Sequence, residues 1–234
     1  MKMTTTTEVE GTMAELLEQA VTGSVIDLGR YEKDDWGCSL NGLIISRDEK
    51  FFLITENGEV SSLGEHKCGP ETWGCCAHGF AIERDDEFFV VTADGGEKSL
   101  GNHACDDWGG SICGLTIMRD GEFFFLTEDG EEKSFGRHTG DTCDIGPQGL
   151  VITRDDEFFI VTESGEERSL GEHPCDSWDV GPRGLVIERG GEFFLITENG
   201  EEKSFGEHTH DDWSCSPCGI VIRKDEEFSL VVVK

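Results

Sequence analysis

The chain has 234 residues and a formal net charge of −31, from 50 Asp+Glu against 19 Lys+Arg. That length fits one domain or two small ones, and the charge excludes a phosphate backbone as partner and disfavours anionic lipid. With 15 Phe and 31 Gly, the composition is also not that of a disordered acidic chain.

Met1-Lys2-Met3 and the threonines 4–7 lack the apolar core of a secretory signal. No stretch approaches the roughly 20 apolar residues of a membrane span. A cytoplasmic protein is the expectation, and its 10 Cys then read as thiols or metal ligands rather than a disulfide framework. Residues 1–24 read as a tail with one short helix. Thr12 and Glu15 form a capping box, Ala14 to Val21 is helix-prone, and Gly23 suits a C-cap. Such a helix would plug or cover one face of the domain that follows, or serve a partner.

From residue 25 onward the chain repeats. A unit opening on Leu43, Phe80, Leu115, Leu150, Leu185 and Ile220 recurs at 37 residues once and at 35 thereafter. Each unit predicts an antiparallel meander of three short strands, typified by Leu150 to Thr153, Glu157 to Thr162 and Glu167 to Leu170. The first turn carries Asp155-Asp156, Asp120-Gly121 or Gly190-Gly191, pairs suited to two-residue hairpins. The second carries Gly at 58, 95, 130, 165 and 200, twice as Asn-Gly, at Asn57 and Asn199. The middle strand, as in Phe158-Phe159-Ile160-Val161, is apolar on both faces and must be covered on both.

Residues 25–42 match the third strand plus connection, and residues 220–233 match the first two strands. Together they complete a sixth unit, as a closed ring requires, and closure removes exposed sheet edges. Residues 25–234 thus resemble a β-propeller, on repeat number, meander pattern and a closing blade split between the termini. The resemblance implies an all-β, six-bladed ring of thin three-stranded blades, preceded by the short helix.

Any chemistry would sit in the connections, of form Gly-x-His-x-Cys-Asp-x-Trp. His occurs at His66, His103, His138, His173 and His208, with Tyr31 in the split unit. Trp occurs at Trp36, Trp73, Trp108, Trp178 and Trp213, with Cys143 near that place in the remaining unit. An acid precedes each Trp by two: Asp34, Glu71, Asp106, Asp176 and Asp211. Residues present in every unit are first those the unit needs to fold, and a His bonded to an Asp under a Trp could pin the connection. The functional alternative is carbohydrate: a Trp face against a sugar ring, with Asp and His bonding hydroxyls, multiplied around the ring for avidity. A further alternative is metal, through His103/Cys105, His208/His210 and the Cys215-x-x-Cys218 pair, although a zinc ribbon supplies two such knuckles. In an oxidising setting Cys105 and Cys113 would instead be bridged. The acidic turns lack the calcium-loop pattern and read as a solvated rim.

No nucleophile elbow, phosphate-binding loop, HExxH or dinucleotide glycine pattern is present in the sequence. Near-identical repeats also speak against one asymmetric catalytic centre, although a site on the ring axis built from several blades remains open. The expectation is therefore a non-enzymatic, lectin-like binding module without a cofactor. It would be a monomer, unless the split ends pair between molecules into head-to-tail filaments or the chain serves as an interaction scaffold.

Overall fold

The computed structural model describes residues 24–55, 58–68, 72–111, 113–140 and 142–233. The helix expected at 12–22, and Asn57 and Glu71, lie outside them. Among the described residues, 24 strands form six antiparallel sheets of four strands each, with no helix. The protein is a six-bladed β-propeller.

Blade 1 is Asp35–Ser39, Gly42–Arg47, Lys50–Ile54 and Val60–Glu65. Blade 2 is Trp73–Cys76, Gly79–Arg84, Glu87–Thr92 and Glu97–Asn102. Blade 3 is Asp107–Ser111, Gly114–Arg119, Glu122–Leu126 and Glu132–Arg137. Blade 4 is Thr142–Gly146, Gly149–Arg154, Glu157–Val161 and Glu167–Glu172. Blade 5 is Ser177–Gly181, Gly184–Arg189, Glu192–Ile196 and Glu202–Glu207. Blade 6 joins Asp212–Ser216, Gly219–Lys224 and Glu227–Val232 to Val25–Arg30 from the other end of the chain. Val25 pairs with Val231 and Arg30 with Glu227, so the strand from the start of the chain closes the ring.

The blades are four-stranded, not three-stranded. The extra strand lies inside the segment read as a connection: Ser177–Gly181 pairs with Gly184–Arg189. It is the innermost strand, and the six innermost strands contact one another around the axis. Crowding there favours Gly, Ser, Cys and Asp, so the strand lacks the β-branched run that marks a strand in sequence.

The paired phenylalanines explain how the blades stack. The first of each pair faces the next blade: Phe88 of blade 2 packs with Leu115, Ile117 and Leu126 of blade 3. The second faces back: Phe89 of blade 2 packs in the cluster of Phe51 and Leu53 of blade 1. Six apolar clusters result, one per blade interface. The hairpins behave as their sequence predicts, with Asp155 at φ 50° and Asp156 at φ 64°, the left-handed pair of a tight hairpin turn. Because Phe88 is fully buried between two blades, Phe88→Ala is expected to cost roughly 3–5 kcal/mol, read as a lower midpoint in urea.

Candidate functional site

The repeated residues prove to be occupied in holding the ring. Asp34 accepts the backbone N–H of Asp48 at 2.6 Å, and Asp106 that of Asp120 at 2.7 Å. Asp176 accepts from Gly190 at 2.7 Å, and Asp211 from Asp225 at 2.6 Å. Each therefore braces the hairpin turn of its own blade, 14 residues on, where left-handed backbone leaves an N–H pointing outward.

The histidines answer a bulge. In blade 4 the ladder pairs Phe158 with Gly171 and Phe159 with Ser169, skipping Leu170. The orphaned Leu170 carbonyl is taken by His173 Nε2 at 3.0 Å, while Nδ1 meets Glu202 of blade 5 at 2.9 Å. His66 and His103 do the same with Leu63 and Glu97, and with Leu100 and Glu132. His138 follows with Phe135 and Glu167. Each glutamate is also held by an arginine of its own blade: Arg84, Arg119, Arg154 and Arg189. That arginine lies 4.0–4.6 Å over Phe89, Phe124, Phe159 or Phe194, the distance of a cation–π contact.

The result is four latches, each running from one blade to the next. The arginine first, and then the histidine, hold Glu167 and Glu202 below the usual carboxylate range. The same partners hold Glu132 down, the arginine again foremost. At Glu97 burial pushes the carboxyl up, and His66 and Arg84 together outweigh it. Tyr31, standing in for the sixth histidine, donates its hydroxyl to the bulge carbonyl of Leu28 at 3.1 Å. His208 takes the Phe205 carbonyl at 3.2 Å, but Val25 stands where the partner glutamate would be.

Each tryptophan is set edge-on against the buried phenylalanine of the preceding blade. Trp73 meets Phe51, Trp108 meets Phe88, Trp178 meets Phe158, and Trp213 meets Phe193, at 5.1–5.5 Å. Trp36 closes the ring on Phe228 at 5.1 Å and donates its indole N–H to Asp212. Among the described residues no cluster of three or more His, Cys, Asp or Glu is placed to hold a metal ion. Of the metal candidates, His103 has both ring nitrogens engaged as above, and His210 bonds the His208 carbonyl at 2.8 Å. Burial pushes the Cys105 thiol up and the Cys215 thiol well up. Cys218 lies at the turn between the first two strands of blade 6. Cys105 and Cys113 are free thiols.

The sixfold pattern breaks at the axis. The residue that follows the Trp position of the innermost strand (Cys143 in blade 4) is Gly37, Gly74, Gly109, Asp144, Asp179 and Ser214 around the ring. Asp144 and Asp179, on neighbouring blades, lie within hydrogen-bonding reach of each other. Solvent touches part of their surface, yet they sit mid-ring with protein on every side. Burial, and then the facing Asp179 charge, push Asp144 well above its ordinary value. Burial also raises Asp179, but its oxygens accept from Val180 N at 2.7 Å, Cys215 N at 2.7 Å and Ser214 Oγ at 3.1 Å. Asp144 accepts from Ile145 N at 2.6 Å, and the further donors to Asp179 favour the charge there, so that of the two carboxyls Asp144 is pushed further towards its protonated form.

Asp179 lines a cleft of about 380 Å³ together with Trp178 and Trp213, with Glu188, His210, Asp211 and Asp212 on its walls. Trp178, Trp213 and Asp211 of the expected ligand set thus come together here, whereas the other expected positions stay distributed around the ring. Asp144 and Asp179 were missed because they do not repeat. Their signal was the departure itself, Asp in two adjacent units where the others carry Gly or Ser.

No protein-family model matches the sequence, and no curated protein matches it. Solved propeller structures do. The chain is similar to a gluconolactonase, XC5397 of Xanthomonas campestris, at 13% identity and TM-score 0.53, over 90% of this chain and 89% of that one. It is similar to PorZ, a surface component of the type-IX secretion system of Porphyromonas gingivalis, at 10% identity and TM-score 0.49. That match covers 94% of this chain but only 34% of PorZ, so the chain spans about a third of that protein. Hsv2 of Kluyveromyces lactis matches at 13% identity and TM-score 0.47, over 85% and 70% of the two chains. These likenesses concern the fold. They nevertheless correct the expectation of a non-enzymatic module, because a ring of this kind, matched end to end, serves an enzyme. The axial carboxyl pair likewise removes the objection that repeats leave no asymmetric centre.

Two measurements follow from these contacts. His103→Ala leaves the buried Leu100 carbonyl unpaired and leaves Glu132 with Arg119 alone, and is expected to cost roughly 1–3 kcal/mol in urea melts. His208→Ala, with no glutamate to lose, costs less. The two carboxyl types give opposite pH slopes. The latch glutamates have lowered native values, so their contribution is complete above about pH 4.5 and is lost as pH falls through those values. Asp144 has a raised native value, so its contribution is complete below about pH 3.8 and is lost as pH rises through that value. Asp144→Asn keeps the bond to Asp179 without the titration, and is expected to melt higher than the parent at neutral pH but not in acid.

Proposed function

We propose that the protein binds one neutral, hydroxyl-rich ligand of the carbohydrate class in the cleft between blades 5 and 6 that Asp179 lines. This replaces a repeated site on every blade with a single one. The observation that carries it is the meeting of two tryptophans with Asp179, one of the coupled Asp144–Asp179 carboxyls, around one cleft. Indole faces cover the apolar face of a sugar ring, and carboxylate oxygens accept from its hydroxyls. The walls supply acceptors in excess, so the ligand must bring the donors. Four carboxylates around the cleft and a net charge of −31 turn anionic ligands away.

Asp179 at the floor takes a ligand hydroxyl as acceptor. With Asp144 protonated behind it, the site can accept a proton from the ligand and return one, the requirement for general acid–base chemistry.

Saturation-transfer NMR against a panel of neutral sugars, acidic sugars and amines tests the reading. Neutral sugars are expected to bind the parent, and Asp179→Asn to weaken them about tenfold, the loss of one charge-assisted hydrogen bond. Selective binding of amines, or sugar binding that Asp179→Asn leaves unchanged, would overturn it.

A further inference from the structure

Two residues after the recurring histidine, three of the connections carry a cysteine: Cys68, Cys105 and Cys175. Each packs against the apolar cluster that holds the buried phenylalanine of the preceding blade, Phe51, Phe88 or Phe158. A small apolar side chain suffices there. Between blades 5 and 6 the same place holds His210. Its ring takes over the packing, with its centroid 4.9 Å from that of Phe193. It also brings two ring nitrogens that packing does not require. Like Asp144 and Asp179 it departs from the repeat, and it stands in the cleft that Asp179 lines.

The two nitrogens have different surroundings. Nδ1 lies 2.8 Å from the His208 carbonyl oxygen. A carbonyl only accepts, so Nδ1 carries the proton of the neutral ring and Nε2 keeps a lone pair. Nε2 has no partner among the described residues.

The carboxylates of the cleft are differently placed. Asp211 accepts from Asp225 N at 2.6 Å. Asp212 accepts from the Trp36 indole N–H at 2.8 Å and from Trp213 N at 3.0 Å. Glu188 accepts from Gly191 N at 2.5 Å and from Ser177 Oγ at 3.3 Å. Asp179 has the three donors given above. Each of the four already holds a turn or a neighbouring strand, and would divide its oxygens between the fold and a ligand. His210 Nε2 serves no such bond.

We propose that His210 is a ligand-contact residue of this cleft, accepting a hydroxyl of the bound sugar at Nε2. The inference rests on the carbohydrate reading and gives it a selectivity. With a lone pair and no proton at Nε2, the neutral ring takes a hydroxyl and offers nothing to an ether oxygen. A sugar methylated at the contacting hydroxyl sets acceptor against acceptor, and a site built to bond a hydroxyl rejects the analogue that lacks it.

Nitrogen-15 NMR of the imidazoles in the full-length chain tests it, at about pH 8, where an unperturbed imidazole is neutral. The probes are glucose, galactose, mannose and their methyl ethers, with affinities from saturation-transfer titrations. In the free chain His210 is expected to carry its proton on Nδ1. On saturation with sugar its Nε2 resonance moves upfield, as an imidazole nitrogen does when it accepts a hydrogen bond, while His66, His103 and His173 stay unmoved. His210→Phe, which keeps a ring against Phe193, melts in urea with the parent but binds about fivefold more weakly, the loss of one neutral hydrogen bond. His210→Gln, whose amide oxygen still accepts, keeps most of the affinity. A proton found on Nε2 in the free chain would overturn the inference without any ligand. Sugar binding that leaves Nε2 unmoved, or that His210→Phe leaves unchanged, would overturn it and spare the carbohydrate reading. No sugar binding to the parent would overturn both.

Discussion

Each blade carries an aromatic side chain that its own sheet cannot bury. Phe51, Phe88, Phe123, Phe158, Phe193 and Phe228 point out of one face of the third strand and are almost wholly shielded from water. They are shielded by the next blade. Burial of each contributes roughly 1.5–3 kcal/mol relative to exposure, and no blade collects it alone. A linear stack would leave the last of these rings uncovered, with no edge-on tryptophan beside it. Closing the stack on itself covers all six, and for that one strand from the start of the chain must finish the blade made at its end.

Around this apolar requirement the polar residues divide into two groups. Those that recur answer needs that recur: Asp34 and its equivalents brace a left-handed turn, and His173 and its equivalents satisfy the carbonyl that a bulge leaves unpaired. The latch through Glu202 and Arg189 then joins one blade to the next. Where closure changes the local problem the residue changes too. Tyr31 answers the same orphaned carbonyl with a hydroxyl, and Val25 and Val60 stand where the latch glutamates of the other blades are. Those that do not recur stand at the axis, where the six innermost strands converge and Asp144 and Asp179 stand where other blades carry Gly or Ser.

This division explains what could be read before the structure was seen. Blade number, the split closing blade and the double phenylalanine were all readable, because each is a periodic pattern enforced by burial. The innermost strand was not, since Ser177–Gly181 is short and built of the small and acidic residues that the axis demands. The candidate ligand set was drawn from the repeat, and repetition is the mark of a structural duty. Trp178, Trp213 and Asp211 meet at the cleft only because the ring brings blades 5 and 6 together there. Asp144 and Asp179 are 35 residues apart in sequence, and the stacking of blade 5 on blade 4 makes them neighbours.

A shared proton at the centre of the ring costs stability at neutral pH, since two carboxyls are held together where neither is well solvated. Such an arrangement persists where the site uses it. The direct measurement is the carbon-13 chemical shift of the two aspartate carboxyls, followed through pH and assigned with Asp144→Asn and Asp179→Asn. One protonated carboxyl at neutral pH, belonging to Asp144 and absent from Asp144→Asn, is the predicted result. Two fully ionised carboxylates at neutral pH, titrating as exposed aspartates do, would contradict it.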